Sequence, residues 1–163
     1  MLLYWDSTPK KLNLIDEGVK KTSMVIMNTA AVVGFGYVVK STVGFQTLIN
    51  MLADLDGNPL ISFASATTLI AGATGSGSGG IGIAMEVFAQ KYMDLGVNPE
   101  VLHRVAAIAC NGLDTLPHNS MVITCLMACG MTHKESYKPI FVTSVCITLL
   151  GLAFAVFLGI TFY

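Results

Sequence analysis

The chain has 163 residues, of which 53% are hydrophobic and 12% charged, with a formal net charge of -1 and a mean hydropathy of +0.68. That balance leaves no basic stripe for a nucleic acid and points instead to a membrane protein. The charges fall in islands, so that 22–39, 57–85, 119–132 and 139–163 lack Lys, Arg, Asp and Glu, and a helical span needs about 20 apolar residues.

Residues 1–21 carry Asp6, Lys10, Lys11, Asp16, Glu17, Lys20 and Lys21 and no continuous apolar core. They read as a polar lead-in, a loop or an amphipathic segment at the membrane face, and not as a secretory signal. A first span is expected over 22–39, where Asn28, Thr29, Gly34 and Gly36 are small or polar positions that let a neighbouring helix come close. Residues 41–55 read as a surface helix or a loop, running into the turn-forming cluster Asp54, Asp56, Gly57, Asn58 and Pro59. A re-entrant hairpin is expected over 59–92, with short apolar arms at 60–71 and 81–92 and a non-helical tip at 72–80. That tip is Gly-Ala-Thr-Gly-Ser-Gly-Ser-Gly-Gly, too rich in glycine for a stable helix. At membrane depth, irregular backbone survives only where protein buries it or where it lines a polar cavity.

Residues 94–104 read as a polar connection in which Pro99 opens the next helix. A helix over 105–113 should break at Asp114-Thr115-Leu116-Pro117-His118-Asn119, because Pro117 removes a backbone donor and clashes with the preceding turn. The apolar pattern resumes over 120–131, so that 105–132 forms one discontinuous span. A short charged turn over 132–138 leads to a final span over 139–163, and 22–163 forms one membrane domain. The lysine distribution puts the N-terminal segment, Lys134 and Lys138 in the cytoplasm and 40–59 outside. Cys110, Cys125, Cys129 and Cys146 show neither C-x-x-C nor zinc-type spacing, and read as small buried residues.

Two constellations carry chemistry. The first is the hairpin tip, Thr74, Gly75, Ser76, Gly77, Ser78, Gly79 and Gly80. Residues 75–80 fit G-x-G-x-x-G, but a dinucleotide site needs that loop between strand and helix in a soluble sheet, and no Lys follows the glycines as a P-loop requires. Glycine N–H groups can instead form an anion-binding concavity at the positive start of a helix. With the hydroxyls of Thr74, Ser76 and Ser78 beside them, they suit a small hydroxylated carboxylate; the plain alternative is a flexible tip without chemistry. The second constellation is Asp114, Thr115, His118 and Asn119 in the broken helix. An ionisable group in a span is a functional candidate and histidine titrates near physiological pH, so Asp114 and His118 are candidates to carry a coupling proton, unless they pair to cap the break. Glu86, a little beyond the glycines, is a third candidate, or a cap or ion-pair partner within the hairpin. His103 and His133 fall in polar connections and read as solvated.

Asn28-Thr29-Ala30-Ala31-Val32-Val33-Gly34-Phe35-Gly36, Gly75-Ser76-Gly77-Ser78-Gly79-Gly80, Leu102-His103-Arg104-Val105-Ala106-Ala107-Ile108-Ala109 and Gly112-Leu113-Asp114-Thr115-Leu116-Pro117-His118-Asn119 recur in kind elsewhere, as does Cys129-Gly130-Met131-Thr132-His133-Lys134-Glu135-Ser136-Tyr137. On these residues the chain resembles the gluconate permease family of proton symporters, from about Ile15 onward. The resemblance implies proton-coupled import of gluconate or a related small hydroxy acid, in a family whose other members take 3-hydroxybutyrate or D-serine. It also implies an all-α integral membrane fold, with a re-entrant helical hairpin and a discontinuous helix, like one half of an inverted-repeat ion transporter. A multi-pass place in the inner (plasma) membrane goes with it, and no enzyme activity, cofactor or metal is expected. Members of the family are well over twice as long, so the likeness covers their C-terminal part. The expected partners are the hydroxy-acid anion, protons, the lipid bilayer and either the N-terminal half of a permease or further copies of the chain. The competing class is a non-transporting membrane subunit or remnant.

Overall fold

The computed structural model describes residues 11–54 and 57–163, and the regular structure among them is helical throughout. The first helix, α1, runs over Lys11–Lys40. The expected lead-in is therefore helical from Lys11, with Lys20 and Asp16 paired at 2.6 Å one turn apart, an i,i+4 arrangement that supports a helix; residues 1–10 lie outside the described residues. Of the expected packing positions, Gly34 faces open space, and the side chains of Asn28 and Thr29, like Gly36, lie outside those described. Of the expected segment 41–55, whose last residue Leu55 lies outside the described residues, Val43–Ala53 forms a helix, α2, capped by Thr42. Its buried residues Phe45, Ile49 and Leu52 recur at helical spacing and give it one inward face.

Residues 59–94 form two packed helices joined at a short turn, with arms longer and a tip tighter than the glycines suggest. Helix α3 (Pro59–Thr74) starts behind the Asn58 cap and helix α4 (Gly77–Asp94) starts behind Ser76. Only Gly75 and Ser76 stand between them. Gly75 closes α3 in the left-handed region (φ +61°), with Ser76 N–H donating to the Ala71 carbonyl at 3.2 Å, the glycine-terminated helix end that leaves no carbonyl stranded. The remaining glycines are helical because packing outweighs their poor propensity. A Cβ on Gly80 would lie 2.5 Å from the Ala71 Cα, so the two arms touch backbone to backbone at this point.

Helix α3 is the centre of the molecule, with eleven residues including Phe63, Ala66, Thr67 and Ile70 buried. It packs against α4, against α5 (Pro99–Ala109) and against the last helix, α7 (His133–Phe162). Pro99 opens α5 as expected, behind an Asn98 cap, so Pro99–Arg104 is helical and not connection. The break comes earlier than the proline implies: α5 stops at Ala109, and Cys110 through Asn119 run as successive turns before α6 (Ser120–Cys129). Gly112 permits this, since a Cβ there would meet Leu149 Cδ2 at 2.9 Å and Thr68 Cγ2 at 3.0 Å.

The charged stretch over 132–138 is not a turn but the opening of α7. Thr132 and Glu135 form a reciprocal capping box, and the Thr132 hydroxyl and N–H hold the exposed Glu135 carboxyl below its usual range. Downstream of Pro139 the helix widens into a π turn over Phe141–Cys146 before resuming. Among the described residues α7 is the one helix long and apolar enough to cross a membrane; it exposes Ile147, Leu150, Phe154, Phe157 and Phe162. Helices α2, α3 and α6 are apolar but shorter. Of the cysteines only Cys110 is buried, while Cys125, Cys129 and Cys146 lie on the outer surface, because α6 and α7 bury only narrow faces.

Candidate functional site

At one end of the core the starts of α3 and α5 meet the end of α7: a Cβ on Gly159 would lie 2.7 Å from Leu60 Cδ2 and 2.9 Å from Val101 Cγ1. At the other end the hairpin tip meets the connection between α5 and α6, and here the two sequence constellations come together. Gly72 allows the approach, since a Cβ there would meet the Leu113 Cβ at 2.9 Å. The Gly77 N–H donates to Asp114 Oδ1 at 2.6 Å, and Asn119 Nδ2 donates to the same oxygen at 2.5 Å. Asn119 Nδ2 also donates to the Gly75 carbonyl at 2.7 Å, while Asn119 Oδ1 accepts from the Met121 N–H at 2.6 Å and so caps α6. Three orphaned groups of two helix breaks are thus satisfied by one carboxylate and one amide.

Asp114 occupies the place where a bound anion was expected. The first turn of α4 presents its N–H groups and positive end to whatever carries negative charge, and the chain supplies its own carboxylate. A Cβ on Gly77 would lie 2.8 Å from Asp114 Oδ2, so glycine is required there for the carboxylate to seat. Asp114 and His118 do not pair with each other. His118 Nε2 lies 2.9 Å from the Gly72 carbonyl, and because a carbonyl only accepts, this nitrogen carries the hydrogen.

The hydroxyls divide by depth. Thr74 is buried and returns its hydroxyl to the Ile70 carbonyl at 2.9 Å, which removes it from any solute. Ser76 and Ser78 approach each other at 3.3 Å, with Ser78 exposed, and Gly79 N–H is held by Ser76 Oγ at 3.2 Å. Thr115 Oγ1 is buried and finds no hydrogen-bond partner among the described residues. Gly80 is sealed between the arms. Glu86 stands exposed on α4, and among the described residues nothing ties it to the hairpin tip as a cap or ion pair.

Two residues outside the sequence constellations complete the cluster. Tyr137 Oη donates to the Thr115 carbonyl at 3.1 Å, and His133 Nε2 lies 2.9 Å from the Pro117 carbonyl. His133 is therefore engaged by the connection and is not simply solvated. The signal for both was in the sequence: Thr132-His133-Lys134-Glu135 is a capping box, which starts a helix and puts residues 133 and 137 on one face.

The chain matches no family model and no solved structure. Over 153 residues, 91% of this chain, it is 41% identical to a protein of Bacillus subtilis (strain 168) described as the uncharacterized transporter YxjC. The chain spans 31% of that relative's length.

Proposed function

We propose that the chain is the C-terminal membrane part of a proton-coupled secondary transporter for gluconate or a related small hydroxy acid. It lies in the inner membrane as a multi-pass unit, with α3 and α4 as a re-entrant hairpin and α5 and α6 as a discontinuous span, and is completed by the N-terminal part of a permease or by further copies. The similarity to a protein described as a transporter supports the class, and the sequence resemblance supports the substrate. One observation carries the mechanism: an ionisable side chain, Asp114, holds the start of α4 across two helix breaks.

The coupling follows from that clasp. With Oδ1 already accepting from Gly77 and Asn119, a proton arriving at Asp114 settles on Oδ2. Neutralisation weakens a charge-assisted hydrogen bond and removes the negative charge from the helix start. The Gly77 N–H at the start of α4 is then open to an incoming carboxylate, with Ser76 and Ser78 beside it to meet its hydroxyls. Proton and anion load together, and release of one returns Asp114 to the helix. His118, anchored through Nε2, is the second candidate to carry the coupling proton.

The test grafts this chain into the Bacillus relative in place of its matching segment and follows labelled gluconate in proteoliposomes under an imposed pH gradient, with 3-hydroxybutyrate and D-serine as competitors. Asp114→Asn keeps the shape and loses the proton, so exchange of internal for external substrate should persist while gradient-driven accumulation disappears. Accumulation with normal pH dependence in both Asp114→Asn and His118→Gln removes these residues from coupling. Failure of all three acids to enter or compete removes the substrate class.

A further inference from the structure

We propose that Tyr137 and His133 are positioning residues that hold the connection between α5 and α6 so that Asp114 meets the hairpin tip. The proposal rests on the reading of the Asp114 clasp as the proton-linked site, and extends it to a helix that reading does not use. Asp114 has one bond to the tip and one to Asn119, both through a single oxygen, so the direction of its side chain depends on where its backbone is held. Helical hydrogen bonding does not hold it, because Cys110 through Asn119 are turns. The next residue is held from α7: the Thr115 carbonyl receives the Tyr137 hydroxyl at 3.1 Å, and two residues on, the Pro117 carbonyl faces His133 Nε2 at 2.9 Å.

The gripping side chains stand in a row along one face of α7. His133 and Tyr137 are one helical turn apart with ring centroids at 6.1 Å, and Phe141 continues the row at 6.1 Å from Tyr137. The capping box at Thr132 and Glu135 fixes where the helix begins, and therefore where the two side chains point. The row ends at Phe141, where the π turn begins. A shift of α7 relative to the core thus pulls on the Thr115 and Pro117 carbonyls, and through them on Asp114.

The test uses a readout that needs no transport, so it can fail while the transport reading stands, and the reverse. Cys110 is 7% exposed, and its carbonyl lies 3.2 Å from where a Gly77 Cβ would sit, so its thiol reports whether the connection opens. With Cys125, Cys129 and Cys146 changed to serine and the chain in lipid nanodiscs, the rate of Cys110 labelling by N-ethylmaleimide is compared between variants. Tyr137→Phe should raise the rate by about two- to tenfold, the factor that loss of one hydrogen bond makes in an opening equilibrium, with the unfolding temperature unchanged. His133→Ala should do the same, and His133→Gln, which retains a donor, should restore the slow rate. An unchanged rate in Tyr137→Phe and His133→Ala overturns the proposal. So does a rise accompanied by an equal fall in unfolding temperature for every variant including His133→Gln, which would mark the two residues as packing only.

Discussion

The Asn119 amide is 2% exposed and makes three hydrogen bonds, to the Met121 N–H, the Gly75 carbonyl and Asp114 Oδ1. Two of these partners, the Met121 N–H and the Gly75 carbonyl, are groups that a helix break would otherwise leave unpaired. Removing the side chain loses a helix cap, worth about 0.5–2 kcal/mol, and strands buried polar groups at about 1–3 kcal/mol. Asn119→Ala is therefore expected to destabilise the chain by about 1.5–5 kcal/mol on these figures, read as a lower unfolding temperature in detergent micelles. Asn119→Asp keeps the cap to Met121 but turns a donor into an acceptor against the Asp114 carboxylate and the Gly75 carbonyl. It should be no more stable than the alanine variant near neutral pH, and a wild-type unfolding temperature in Asn119→Asp would show that the amide hydrogens are not what hold the breaks together.

At the scale of elements, the hairpin shows how glycine serves two ends. Gly75 is present for its backbone, at φ +61°, a region that side chains with a Cβ disfavour. Gly80 is present for its lack of side chain, with Ala71 N, Cα and Cβ all within 2.8 Å of a built Cβ. Gly82, two positions on, faces open space and has neither role. Gly80→Ala should force the arms apart, at a cost of about 3 kcal/mol, the upper end for overpacking because the obstacle is backbone. Gly82→Ala should stabilise α4 by about 0.8–1 kcal/mol through helix propensity alone. Thermal unfolding of the two variants side by side checks both signs, and equal unfolding temperatures would remove the close approach of the arms from the account.

For the whole molecule, the final helix sets the relation to solvent. Its 30 residues cover about 45 Å at 1.5 Å per residue, more than a hydrocarbon core of about 30 Å, and only 17% of its most apolar window is buried against the rest of the chain. Its exposed phenylalanines and leucines need lipid or protein around them, since apolar patches of that extent are not left in water. Cys146 lies near the middle of this helix on its exposed side. In bilayer nanodiscs Cys146 should resist a membrane-impermeant maleimide, while a cysteine placed at exposed Lys134 in the charged first turn should react quickly. Rapid labelling of Cys146 in the bilayer, or recovery of folded monomer without detergent, would place this helix in water.

The sequence by itself determined the helical class, a chain reversal among the glycines after Ala71 and an interruption ahead of Ser120, because each follows from local chemistry: charge-free runs, glycine at a chain reversal, and asparagine ahead of Pro59, Pro99 and Ser120. Where α5 ends was not legible, since it stops at Ala109, well before Pro117. It also marked the residues that meet at the two breaks. What those residues do to one another was decided only by the tertiary structure. The Gly77 N–H reads from the sequence as a free donor for a solute, and it becomes the partner of Asp114 because residues 37 positions apart are brought to 2.6 Å. Gly77 through Gly80 read as irregular, and they are helical because Ala71 and Asp114 leave no room for side chains at Gly80 and Gly77. His133 and Tyr137 read as part of a charged turn, and they reach the connection because a capping box continues that turn into α7. Hydrogen bonds across long sequence separations depend on which backbones can come close, and the glycines that set that distance carry no side chain to announce their partners.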